Sequence, residues 1–121
     1  MLNKHYPWQE SHPHRLVMLK VGRRLIPIKL IDILFAEGSD KYVKVHTTNG
    51  SHLVVSSMCE MDELLNSEFL IRVHRSYIVN FLHVNWIERD LLHLGTGKEC
   101  HEIPIHKKFL DCLRNTQEPM D

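Results

Sequence analysis

Ten histidines and three cysteines in a chain of 121 residues are the side chains best suited to chemistry. For catalysis or metal binding they must converge as a nucleophile beside a base, paired carboxylates, or several ligands around one ion. Their spacing does not bring this about. His12-Pro13-His14 offers two imidazoles without a third ligand nearby. Cys100 and His101 are neighbours in a β run, so their side chains point to opposite faces. Cys59, Cys100 and Cys112 have no CxxC spacing, and an odd number leaves one thiol outside any intramolecular pairing. No GxSxG, HExxH, Walker or GxGxxG sequence occurs, and Gly95-Thr96-Gly97-Lys98, between two β runs, reads as a hairpin turn. The chain is therefore not expected to be an enzyme, and no metal or cofactor is expected.

A different chemistry is offered by Phe69-Leu70-Ile71-Arg72-Val73-His74-Arg75-Ser76-Tyr77-Ile78-Val79-Asn80. Apolar alternation stops at His-Arg-Ser and resumes at Tyr-Ile-Val, which predicts two strands joined by a loop that presents Arg75 outward. A guanidinium there can make a bidentate contact with a guanine edge or a phosphate. From spacing alone the plainer account, an exposed surface arginine or a strand-end ion pair, is the stronger.

The elements that must position this loop are short β segments. Residues 15–21, 25–30 and 32–37 are three, with Pro27 restricting the second to an edge or bend. YVKVHTT, Asn49-Gly50 and SHLVVS predict a hairpin with Val43, Val45 and Thr47 on one face and Tyr42, Lys44, His46 and Thr48 on the other. Asn-Gly is expected to supply the positive φ angles of a type I′ turn. Ser57-Met58-Cys59-Glu60 has capping-box form and opens a short helix whose Met58, Met61, Leu64 and Leu65 face the core. Further strands are expected at 69–74, 77–88 (broken near Leu82-His83), 91–94 and 99–105. A closing helix from His106 to Asn115 carries Phe109, Leu110 and Leu113 at helical spacing. Tyr42, Phe69, Tyr77 and Trp86 are expected in the core or half-buried on strands. Tight turns imply antiparallel pairing. The pattern is that of one mainly β domain over residues 15–115, with one short internal helix and a C-terminal helix, between a loose leader (1–14) and a tail (116–121).

Size and composition agree with a single domain: 43% apolar and 25% charged residues are ordinary globular usage. Fifteen basic residues balance fifteen acidic ones, so bulk charge does not announce a nucleic-acid partner. The charges are unevenly spread. Residues 1–31 hold six basic and one acidic, 32–71 two and seven, and 72–121 seven of each. Apolar runs are too short to span a membrane, and no apolar h-region opens the chain. A reducing, cytoplasmic location is the expectation.

The 69–80 stretch resembles the F-x-R-x-H-R-S-[YF]-[IL]-V-N signature of the LytTR DNA-binding domain of bacterial transcriptional regulators. Four further segments match in order. Asp32-Ile33-Leu34-Phe35-Ala36-Glu37 is similar to the family's first D-I-[LV]-[YF]-I-E-A strand. Tyr42-Val43 with the Asn49-Gly50 hairpin, Ser57 to Leu65, and Ile103-Pro104-Ile105 resemble its Y-V-x-[IV] strand, its S-L-x-E-L-E-x-x-L helix and its closing I-P-V. His106 stands where Ser is usual and Gly38 where Ala is common.

The resemblance implies an elongated domain of antiparallel β-sheets that binds double-stranded DNA sequence-specifically, through loops in successive major grooves. It also implies paired short repeats as the target, which admits a homodimer on DNA, and a role as the output domain of a response regulator. The fourteen-residue leader is too short for a sensory domain, leaving a stand-alone regulator or an excised domain as the expectation. The matching loops are Gly38 to Lys41, His74 to Ser76 and the 105–108 turn. Arg75, Lys41, His106 and Lys107 are the implied base contacts, and Lys44, Arg72 and Lys108 the phosphate contacts. His74, Ser76 and Asn80 are expected to brace the loop through backbone hydrogen bonds. If His46, His74 and His106 are accessible on that face, their protonation between about pH 8 and 6 should tighten binding. The neutral charge also admits a second reading, a protein-interaction module of the same fold without DNA contact.

Overall fold

The computed structural model describes residues 13–96 and 99–116, the side chains of residue 96 and of residues 112–116 excepted. Within them run β1 (Leu16–Val21), β2 (Arg24–Lys29), β3 (Ile33–Ser39), β4 (Tyr42–Thr47), β5 (Gly50–Val55), α1 (Met58–Leu64), β6 (Leu70–His74), β7 (Tyr77–Asn80), β8 (Val84–Glu88), β9 (Leu91–Thr96), β10 (Glu99–Pro104) and α2 (Lys107–Thr116). The domain is mainly β, and the sheet pairings are antiparallel, as the tight turns imply. A five-stranded sheet in the order β5-β4-β3-β7-β6 lies between the β1-β2 hairpin and a three-stranded sheet, β10-β9-β8. Most of the leader and tail, and Gly97-Lys98 of the expected turn, lie outside the described residues. Pro13 is tied in, its carbonyl accepting from the Ile31 N–H at 2.8 Å.

The five-stranded sheet separates two cores. Val43, Val45 and Val54 look toward β1 and α1, where Val17, Leu19, Met61 and Leu65 complete the first. On the opposite face Val73 and Val79 meet Leu92, Leu94 and Ile103 of the smaller sheet, with Phe109 and Leu110 of α2 packed alongside. A strand buried on both faces reads as an unbroken apolar run, which explains Ile33-Leu34-Phe35-Ala36 in β3. Its pairing with β4 slips between Ile33 and Phe35. That bulge turns Leu34 and Phe35 together into the second core, while Ile33 and Ala36 enter the first.

Two local expectations need correction. The β4-β5 hairpin forms, but not around Asn49-Gly50. Thr47 pairs with Gly50, so Thr48-Asn49 is the two-residue loop. Thr47 Oγ1 closes it by donating to the Gly50 carbonyl at 2.7 Å and accepting from the Asn49 N–H at 3.1 Å. Meanwhile the Asp32 carbonyl draws in the Thr48 N–H. Leu64 is exposed, because the seven-residue α1 turns only Met61 fully inward, with Leu65 buried just past its end. Tyr42 and Trp86, 47% and 52% exposed, are half-buried on their strands and outside the core. Tyr42 sits opposite Val55 where no second layer covers the sheet. Trp86 lies on the outer face of β8, stacked on the His93 ring at 4.9 Å.

Candidate nucleic-acid interface

β6 and β7 are joined by Arg75-Ser76, since His74 pairs with Tyr77. The ladder runs from Arg72 opposite Ile78 directly to His74 opposite Tyr77, so Val73 is the extra residue of a bulge. Val73 keeps its side chain in the second core, and its carbonyl accepts from the His106 N–H at 2.9 Å. On the other side, the Gly38 N–H donates to the Ser76 carbonyl at 2.8 Å. Two backbone hydrogen bonds thus gather the 38–41, 74–76 and 105–108 segments at one end of the molecule. Asp40-Lys41 forms the turn between β3 and β4, with Asp40 at φ 31°, a left-handed position that Asp tolerates.

Within the central loop, His74 Nδ1 accepts from the Ser76 N–H at 3.1 Å, and the His74 ring meets Tyr77 edge-on at 5.6 Å. Arg72 Nη2 donates to the Arg75 carbonyl at 2.7 Å. The Arg75 side chain is exposed. No ion pair involves Lys41, Arg75, Lys107 or Lys108 among the described residues, where the ion pairs join histidines to Glu37, Glu99 and Glu102. The strand-end ion pair that could have explained Arg75 is therefore absent among them. Arg72, Val73, His74, Arg75, His106, Lys108 and Phe109 line an open groove of about 380 Å³ between the loop and α2. Its floor is apolar and its rim cationic.

The third segment is fixed by His106. Its Nδ1 accepts from the Lys108 N–H at 3.1 Å, which satisfies one of the donors that a helix start leaves without an intrahelical partner. The imidazole does here what a serine hydroxyl does at many helix starts. Lys107 and Lys108, in the first turn of α2, are exposed. Lys44 is exposed three residues along β4 from Lys41, opposite Leu53 on one side and Glu37 on the other.

Asn80 is fully buried at the far end of β7 from Arg75. Its Nδ2 donates to the Leu30 and Ile33 carbonyls and its Oδ1 accepts from the Leu82 N–H. It braces the 30–33 turn, whereas His74 and Ser76 brace the loop itself. His46 shares the Lys44 side of β4 but is half-buried there. Its ring stacks on Phe35 at 4.1 Å, its Nε2 lies 3.2 Å from Glu37 Oε1 and its Nδ1 3.2 Å from Ser51 Oγ. His101 of β10 closes over it at 5.9 Å, and burial, outweighing Glu37, lowers its pKa from 6.5. Glu37 also accepts from Tyr77 Oη, and burial together with that carboxylate raises the phenol's pKa. Among the described residues, no three His, Cys, Asp or Glu side chains form a group that could hold a metal.

The model of the LytTr DNA-binding domain matches residues 23–117, most of the chain and all three loops. The chain belongs to the LytTR family. The sensory transduction protein LytT of Bacillus subtilis is 33% identical over 82 residues, 66% of this chain and 34% of that protein. The CO-responsive transcriptional regulator RcoM of Rhodospirillum rubrum is 31% identical over 87 residues, 69% of this chain and 37% of that one. The LytTR chain thus spans about a third of the length of these relatives. A solved LytTr DNA-binding domain, from a Bacillus cereus protein described as a methyl-accepting/DNA response regulator, superposes with a TM-score of 0.65 at 25% identity. That match covers 83% of this chain and 94% of the other. No helix among the described residues is long and apolar enough to cross a membrane.

Sequence reasoning missed the inward role of Arg72 and the approach of Met58 to Gly38, where an added Cβ would lie 2.6 Å from Met58 Cγ. The first had a signal. Arg72 shares the β6 face of Leu70, which enters the first core, so its side chain runs beneath α1.

Proposed function

We propose that this LytTR domain regulates transcription by reading a specific double-stranded DNA sequence with the three gathered loops. The carrying observation is that Arg75, exposed and without a carboxylate partner among the described residues, stands on a loop whose backbone is fixed on both sides. A preset backbone with a free guanidinium suits bidentate contact with a guanine edge in the major groove. Lys41, His106 and Lys107 flank it as further base contacts. Lys44 and Lys108 are placed to neutralise phosphates, which fixes register without carrying sequence information. The target is a pair of short repeats read by two copies.

Selection of bound duplexes from a random pool tests this. One enriched motif, single or repeated, is expected, and Arg75→Ala should lose about 1–3 kcal/mol on it while relaxing preference at one base pair. Equal loss on selected and random duplex would show that Arg75 reads no base. The exposed Leu16, Met18 and Leu25 of the β1-β2 hairpin are what a protein-interaction module would use instead. Failure to bind any duplex at low salt would favour that reading.

A further inference from the structure

We propose that Arg72 is a positioning residue for sequence reading, holding the Arg75 loop in its reading conformation, and not a phosphate contact. The inference rests on the reading of Arg75 as a base contact. Arg72 lies on β6 opposite Ile78, with its half-buried side chain running under the loop. One arm of its guanidinium, Nη2, donates to the Arg75 carbonyl at 2.7 Å. The other, Nη1, reaches Cys59 Sγ at 3.7 Å in the first turn of α1. Nε is buried without a partner. Nε is thus turned into the protein and the two arms are held at its surface, and swinging the side chain out to a phosphate would mean breaking a short charge-assisted hydrogen bond.

The bond matters because of where the Arg75 carbonyl sits. In a two-residue loop it has no place in the β6-β7 ladder, and an unpaired carbonyl leaves the peptide plane free to turn. The neighbouring groups are each held by a different element. Val73 is bound to His106, Ser76 to Gly38 through its carbonyl, and the Ser76 N–H to His74. Arg72 supplies the remaining tether, at the residue that carries the reading side chain. Ordering the loop before DNA arrives removes that ordering cost from binding. The gain falls on the duplex that Arg75 can read, and random duplex, held by phosphate contacts, gains little.

The test measures affinity of the whole chain for selected and random duplex across a salt series, for wild type, Arg72→Met, Arg75→Ala and the double variant. Methionine keeps an unbranched apolar stem for packing, and circular dichroism checks the fold. Arg72→Met should lose about tenfold on selected duplex, little on random duplex, keep the salt slope, and add nothing in the Arg75→Ala background. A phosphate contact would instead lose equally on both duplexes, lower the slope by about 0.9 and add to Arg75→Ala. That result overturns the proposal. Should Arg72→Met fail to fold, Arg72→Lys keeps the cation but lacks the two-armed donor. Lost specificity at an unchanged slope then supports positioning, and wild-type specificity overturns it. If Arg75→Ala keeps wild-type discrimination, the base-reading role itself fails and the Arg72 proposal falls with it. That outcome is visible in a different arm of the experiment.

Discussion

His46, His74 and His106 are one residue type placed in two physical situations. His46 is boxed by Phe35, Glu37, Ser51 and His101, and burial lowers its pKa from 6.5. A folded state that takes up its proton less readily than the unfolded chain is stabilised above the unfolded value and loses that stability as pH falls. The melting temperature should therefore decline as pH drops below about 6.5. His46→Phe, less stable overall without its Glu37 and Ser51 partners, should decline less steeply over the same range. Identical slopes in thermal melts would remove His46 as the cause. His74 and His106 each accept a backbone N–H at Nδ1, which an imidazolium cannot do. Each bond fixes one segment of the site, and substitution tests the one at His106. His106→Ser should keep the cap on α2, and His106→Ala should lose about 1 kcal/mol in chemical denaturation. Equal stability of the two variants would show that the Nδ1 bond contributes nothing.

At the scale of elements, what period and local chemistry specify was legible, and what depends on an inserted residue or a distant partner was not. Val43, Val45 and Thr47 announce the inner face of β4 because nothing interrupts their alternation. Ser57 and Glu60 announce the start of α1, and both halves of the capping box form at 3.0 Å. The 3-10 turn at Phe81–His83 falls where the long 77–88 run was expected to break. Alternation cannot reveal the bulges at Leu34 and Val73, because each adds one residue on one strand only. The Val73 bulge is the one that matters for the site, since it frees the carbonyl that His106 binds. The Thr48-Asn49 turn was misread because Thr47 and Asp32 act there through side chain and backbone. Gly38 reads as a family departure until Met58 is seen against it. For the candidate site, motif order picked out the three segments that backbone hydrogen bonds join, with Arg75 on the central one. The arms of Arg72 and the far-end position of Asn80 needed the third dimension.

For the whole molecule, zero net charge makes long-range attraction to DNA weak, so the proposed binding rests on the few cations that the loops gather. Lys44 and Lys108 are proposed phosphate contacts, and Lys41 and Lys107 can turn to the backbone beside them. Counterion release then gives a slope of log affinity against log salt between about −2 and −4 for one copy, at roughly 0.9 per phosphate. Two copies on paired repeats bind as one unit only if spacing lets both engage, and their slopes then add. Fluorescence anisotropy on duplexes carrying one repeat or two, across a salt series, should show the slope doubling. An equal slope on both duplexes would mean a single copy per site. A one-repeat slope much steeper than −4 would instead bring in cations outside the loops. The exposed Lys20, Arg23, Arg24 and Lys29 of the basic N-terminal third are then the residues to neutralise.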